Sequence, residues 1–184
     1  SQRFVREVQF LAELRHPAIV RYVDHGVLPS GQRFLAMEWL SGEELSTRLQ
    51  KVGLSINEVL ALGRAVAEAL GHAHRKGVVH RDIKPGNLFL VDGRIEKVKV
   101  LDFGIARAMA GAHLTVTGTR IGTPSYMSPE QARGVTNVDP RSDVYALGVV
   151  LYQALTGRLQ EVGALHLFEQ DLGQQRHRVV RDEG

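Results

Sequence analysis

The chain contains no cysteine. That excludes a disulfide framework, a thiolate zinc site and a thiol nucleophile, and it fits a reducing compartment. No run of about 18 apolar residues occurs, so the sequence offers no transmembrane helix. No secretory leader pattern opens it, and the first residue is Ser1 rather than methionine, which reads as the trace of a removed upstream segment. An excess of one charge is also missing: 23 Lys and Arg stand against 20 Asp and Glu, a net charge of +3. A balance that weak and dispersed argues against a nucleic-acid surface and for a solvated one. What is present is ordinary for a globular domain: 184 residues, 43% hydrophobic and 23% charged, enough for one real core.

The periodicity predicts alternating small elements. Phe4, Val8, Leu11 and Leu14 share one helical face, closed by His16-Pro17. Ala18–His25 and Phe34–Trp39 read as strands joined through Pro29-Ser30-Gly31, a hairpin. Gly42 opens a short helix carrying Leu45, Leu49 and Val52, which Gly53 stops. Ser55 and Glu58 form a capping-box pattern for a helix through Val59, Leu62, Val66, Ala69 and Ala73, ending at Gly77. Leu88–Val91 and Ile95–Leu101 flank an Asp92-Gly93 turn, a second β-ribbon. Val144–Leu155 is apolar on nearly every side and is expected in the middle of the domain. Leu159, Val162, Leu165 and Phe168 suit one more amphipathic helix, and the polar end from Gln174 reads as frayed. His72 and His74, two apart on a helix, do not face together and read as surface residues.

Chemistry concentrates in His80-Arg81-Asp82-Ile83-Lys84-Pro85-Gly86-Asn87 and in Asp102-Phe103-Gly104, at the two ends of that ribbon. Alone, His-Arg-Asp is equally a buried polar loop whose acid and amide cap turns. With Asp-Phe-Gly following, and Ser128-Pro129-Glu130 after that, the order matches the protein-kinase signature set. From about Phe4 to Gly157 the chain resembles a bacterial eukaryotic-like (Hanks-type) serine/threonine protein kinase domain. The resemblance implies an α+β, protein-kinase-like fold truncated at both ends. It comprises a partial N-lobe over residues 1–40, a mainly helical C-lobe with catalytic and activation loops over 41–157, and a divergent tail over 158–184.

By resemblance, Asp82 is the catalytic base, Lys84 offsets charge on the transferred phosphoryl group, and Asn87 and Asp102 are Mg²⁺ ligands. Glu7 is the helix glutamate of the phosphate-holding ion pair. Met37 backs the adenine pocket, Glu38 and Leu40 belong to the hinge, and Phe89 forms the pocket floor; as sequence alone, the apolar ones among them also read as core. His80, Phe103, Leu11 and Tyr22 match an apolar stack. Asp143 is either a plain N-cap or the family's anchor for the catalytic loop. The loop from Ile105 to Ser128 resembles an activation segment. Thr115 or Thr117 would carry a phosphate read by Arg81, and Thr123 would contact Asp82 and Lys84; alternatively these are threonines of a solvated loop.

The expected function is transfer of the ATP γ-phosphoryl group to Ser or Thr hydroxyls of proteins, with ATP and Mg²⁺ as cofactors. The Gly-rich lid and the strand lysine of the family do not occur in the sequence, and similarity fades after Arg158. Impaired ATP binding and self-association through uncovered apolar surface are accordingly expected. The chain is expected to be cytoplasmic, and the resemblance leaves open a membrane tether in the full-length protein. The alternative is a pseudokinase-like binding module. A small-molecule phosphotransferase shares the catalytic acids, but Gly-Thr-Pro at Thr123 and Ser-Pro-Glu favour protein substrates.

Overall fold

A computed structural model describes residues 13–103, 124–135 and 138–159. Strands β1 (Tyr22–Val27) and β2 (Arg33–Met37) form an antiparallel two-stranded sheet. Strand β3 (Gly42–Glu44) leads into helix α1 (Leu45–Lys51), then helix α2 (Ile56–Arg75). Strands β4 (Leu88–Val91) and β5 (Val98–Val100) complete a second sheet of order β3-β4-β5, antiparallel throughout. A short helix α3 (Pro129–Ala132) precedes α4 (Pro140–Thr156).

Helix α2 is the scaffold. Its start is the predicted capping box: Ser55 accepts from the Glu58 N–H, and the Glu58 carboxylate accepts from the Ser55 N–H. Its buried residues Val59, Leu62, Val66, Ala69, Leu70 and Ala73 repeat at helical spacing and form one stripe. That stripe packs against Ala146, Leu147 and Val150 of α4 and joins the sheet residues Leu88, Leu90, Val98 and Val100 in one core. Leu62 is fully buried, a contribution of about 1.5–3 kcal/mol from its side chain. Helix α4 stops where Gly157 takes a left-handed conformation (φ 67°) and donates to Gln153 O.

Several elements differ from the sequence reading, each for a local reason. Residues after Gly42 first form a strand. Gly42 sits at φ 146°, and a Cβ there would meet Leu90 O at 2.0 Å, so only glycine lets β3 lie against β4. The first hairpin strand begins at Tyr22, not Ala18; Ile19 instead makes an isolated parallel bridge to Val100. The second ends at Met37 rather than Trp39. Ile95–Lys97 winds into a 3₁₀ turn, leaving Val98–Val100 as the return strand. Asp139, not Asp143, caps α4, accepting from the Arg141 N–H at 2.7 Å. One face of α4 is open, with Val144, Tyr152 and Leu155 exposed. His72 and His74 are half-buried rather than superficial, and the His72 ring lies 5.5 Å from that of His16. The helix expected from Phe4 lies outside the described residues except at its end, where Leu14 is non-helical and buried. The helix expected through Phe168 also lies outside them, apart from Leu159.

Candidate active site

The loop between α2 and β4 is held from below by one acid. Asp143, on the first turn of α4, is 1% exposed. Its Oδ2 accepts from the His80 N–H at 2.8 Å and from His74 Nε2 at 2.7 Å, and its Oδ1 accepts from the Arg81 N–H at 2.7 Å. A carboxylate so deep must be satisfied, and backbone donors satisfy it. Of the two roles open from sequence, the structure shows Asp143 anchoring the loop.

His80 is fully buried. Its Nε2 donates to Leu101 O at 2.7 Å, and its Nδ1 accepts from the Asp82 N–H at 3.2 Å. One nitrogen donating and the other accepting define a neutral imidazole. Burial holds its pKa below the ordinary histidine value, against the pull of Asp143, Asp82 and Asp102 and of the bond to Leu101. The ring stacks on Phe103 at 4.7 Å with a 58° tilt. Phe103, Tyr22, Met37 and Asp102 also border one small apolar cavity. Three of the four members expected of the stack therefore converge, while Leu11 lies outside the described residues.

Asp82, Lys84 and Asn87 form a single cluster. Lys84 Nζ donates to Asp82 Oδ2 at 2.7 Å. Asn87 Nδ2 donates to Asp82 O at 2.7 Å and to Asp82 Oδ2 at 3.0 Å. Asp82 Oδ1 carries no hydrogen bond among the described residues, and the side chain is about half exposed. The loop closes on a 3₁₀ turn, Pro85–Asn87, and the Leu101 N–H donates to Asn87 O at 2.9 Å. That bond brings the end of β5, and so Asp102, alongside Asn87. Asp102 is exposed, has φ 55°, and makes no hydrogen bond to a described residue. Arg81 has φ 71°. Left-handed backbone at Asp102 itself and at Arg81, just before Asp82, is the kind of strain that surrounding contacts must maintain.

With Nδ2 spent on Asp82, Asn87 keeps its amide oxygen for another partner, and Asp102 keeps its whole carboxylate. These are hard oxygen donors of the kind Mg²⁺ takes, few enough to leave room for phosphate oxygens and water, so the donor set fits that ion. Among the described residues no group of three or more His, Cys, Asp or Glu competes for a metal. An open groove of about 590 Å³ lies beside the cluster, bordered by Lys84, Pro85, Gly86, Ser46, Tyr126 and Gln153.

The residues expected to form a hinge lie at the base of the first hairpin. Met37 ends β2, and Leu40 is half-buried beyond it. Glu38 accepts from the Arg21 N–H at 2.8 Å and from Lys99 Nζ at 2.5 Å. Burial works to raise the Glu38 carboxyl, but those two hydrogen bonds and the two cations outweigh it and hold it below the usual range. Lys99 stands opposite Phe89 in the β4–β5 register, so Glu38 is tied to the ribbon that carries Asn87 and Asp102 at its ends. Glu7, Thr115, Thr117 and Thr123 lie outside the described residues.

Three contributors escaped the sequence reading. His74 was detectable, since it follows Leu70 by four on the buried face of α2. Gln131 follows Ser128 at the same capping-box spacing as Ser55 and Glu58, but nothing local announces that it also reaches Arg81 O, at 2.8 Å. Lys99 had no sequence signal.

A protein kinase domain family model matches residues 1–179. The chain is 44% identical over 164 residues to the serine/threonine-protein kinase pkn3 of Myxococcus xanthus, covering 85% of this chain and 30% of that protein. It is 43% identical over 170 residues to pkn2 of the same organism, covering 90% and 20%. With PknB of Mycobacterium tuberculosis it shares 44% over 161 residues, covering 84% and 25%. The chain belongs to the protein kinase domain family, and its α+β fold, with few strands and several helices, is that of a partial kinase domain. It spans under a third of the length of these relatives.

Proposed function

We propose that this chain carries the phosphoryl-transfer site of an ATP-dependent protein serine/threonine kinase. The observation that carries the reading is the Asp82–Lys84–Asn87 cluster, closed onto the end of β5 by the bond from the Leu101 N–H to Asn87 O. Phosphoryl transfer asks a protein for positioning and charge stabilisation more than for covalent chemistry. Asp82 uses Oδ2 to hold Lys84 and Asn87, which leaves Oδ1 to orient a substrate hydroxyl and receive its proton. Lys84 is a fixed cation beside that oxygen, able to offset charge on the group in transfer. Asn87 and Asp102 would hold Mg²⁺, which when bound neutralises the phosphate oxygens. Glu38, Leu40, Met37 and Phe89 would border the adenine, and Glu7 would pair with the lysine that holds the inner phosphates. The groove beside Lys84 is a suitable seat for the Ser- or Thr-bearing segment of a protein. Arg81 would read a phosphate on Thr115 or Thr117, and Thr123 would pack against Asp82 and Lys84. Residues 1–40, 41–157 and 158–184 would be the partial N-lobe, the C-lobe and a divergent tail. No described helix is long and apolar enough to cross a membrane.

The test is Asp82→Asn. Phosphate transfer from ATP to a Ser/Thr-bearing protein is expected to fall about 10²–10⁴-fold, while nucleotide binding measured by calorimetry stays near the wild-type value. Undiminished transfer by the variant sinks the assignment of the base. Absence of transfer by the wild type, with nucleotide still bound, points to a binding module instead.

A further inference from the structure

We propose that Gln131 is a positioning residue for this site, clamping the peptide unit that leads into Asp82. The proposal rests on the kinase reading and adds to it a link from the Ser-Pro-Glu segment to the base.

Both ends of the Gln131 amide are used. Its Oε1 accepts from the Ser128 N–H at 3.1 Å and from Ser128 Oγ at 3.2 Å, and its Nε2 donates to Arg81 O at 2.8 Å. The orientation is forced by chemistry. A backbone N–H can only donate and a carbonyl can only accept, so a flipped amide would set donor against donor and oxygen against oxygen. Capping helix α3 and gripping the catalytic loop are therefore two functions of one side chain, separable by atom.

The gripped peptide is the one that matters. Arg81 sits at φ 71°, a conformation that an L residue holds only when its surroundings over-determine it. Its N–H is held by Asp143 Oδ1 from α4, and its carbonyl by Gln131 from α3. That carbonyl and the Asp82 N–H share one rigid plane, and the Asp82 N–H is held on the other edge by His80 Nδ1 at 3.2 Å. The plane that aims the Asp82 side chain is thus pinned between Gln131 and His80. Removing the Gln131 donor frees one edge of it.

Gln131→Glu separates the two functions. It keeps an oxygen for Ser128, since Ser-x-x-Glu is itself a capping box, but it has no N–H for Arg81 O. Gln131→Leu loses both. In the full chain, both variants are expected to speed amide hydrogen exchange at Arg81 and Asp82 about three- to tenfold, the worth of one net hydrogen bond released locally. Both should lower kcat for protein phosphorylation roughly ten- to a hundredfold, with KM for ATP little changed. Only Gln131→Leu should lower the melting temperature appreciably. The proposal is overturned if Gln131→Glu leaves exchange at Arg81 and Asp82 at the wild-type rate. It is equally overturned if loss of kcat appears only in Gln131→Leu, in step with its melting temperature, which is the signature of a cap alone. A wild-type chain that binds nucleotide without transferring phosphate refutes the kinase reading, yet the exchange measurement still decides the clamp.

Discussion

The His80–Asn87 loop and the first hairpin are built in opposite ways. From His80 to Asn87 the strained backbone is tied at several points: to Asp143 and Gln131 from outside, to His80, Lys84 and Asn87 from within, and to β5 through Leu101. The β1–β2 hairpin carries Val23, Val27 and Phe34 on its surface, and Trp39 just beyond it is 95% exposed. Its base is fastened through Glu38, to the Arg21 backbone and to Lys99. The contrast shows where accuracy is needed. The residues that would meet a reacting group are held by bonds from several elements, while the segment that would line the nucleotide hangs from an ion pair about one-fifth exposed.

Removing the loop's anchor tests that contrast most severely. Asp143→Ala strands the His80 and Arg81 N–H groups and the His74 ring in a buried place. The expected cost is about 2–6 kcal/mol, about 1–3 for each of the two buried N–H donors left unsatisfied, read as a shift in denaturant midpoint. A cost near zero would mean that the loop is not held from below.

Acid is the next lever. Burial holds His80 neutral, and its folded pKa lies below the ordinary 6.5; burial, with His72 and Arg75 nearby, lowers His16 too, against Glu68. The unfolded chain therefore binds more protons than the folded one as pH falls below about 6.5. This stability is present above that value and is lost as pH drops through it, by at most about 1.4 kcal/mol per pH unit for each histidine. Denaturation midpoints at pH 7.5 and 5.5 check the sign, and His80→Phe should flatten the slope.

The hairpin end should respond least. Lys99→Met removes one partner of a pair that is only about four-fifths buried, so global stability is expected to fall by no more than about 1 kcal/mol. Amide exchange across Tyr22–Met37 should quicken while His80–Asn87 stays protected. Equal quickening of both regions would erase the distinction between them.

Much of this was legible from residue order. The capping box at Ser55, the turn at Asp92-Gly93 and the hairpin after Tyr22 are local patterns, decided within a few residues, and the structure realises them. The gathering of Asp82, Lys84 and Asn87 was legible too, because a short loop cannot place them far apart. Strand β3 was not, since a strand of three residues has no period and exists only because β4 is there to pair with. Nor was the true N-cap of α4, because Asp139 and Asp143 are both acids near its start and only packing shows that one faces solvent and the other the loop.

The sequence alone therefore determined which chemical groups are present, in what order, and on which loops, since helix caps, turns and short ribbons are set by neighbours along the chain. Only the tertiary structure decided how those groups are held. Asp143 lies 62 residues after Arg81 in number, Gln131 lies 50 after Arg81, and Lys99 lies 61 after Glu38. Bonds over such separations depend on which helix faces pack together, and no local pattern encodes that.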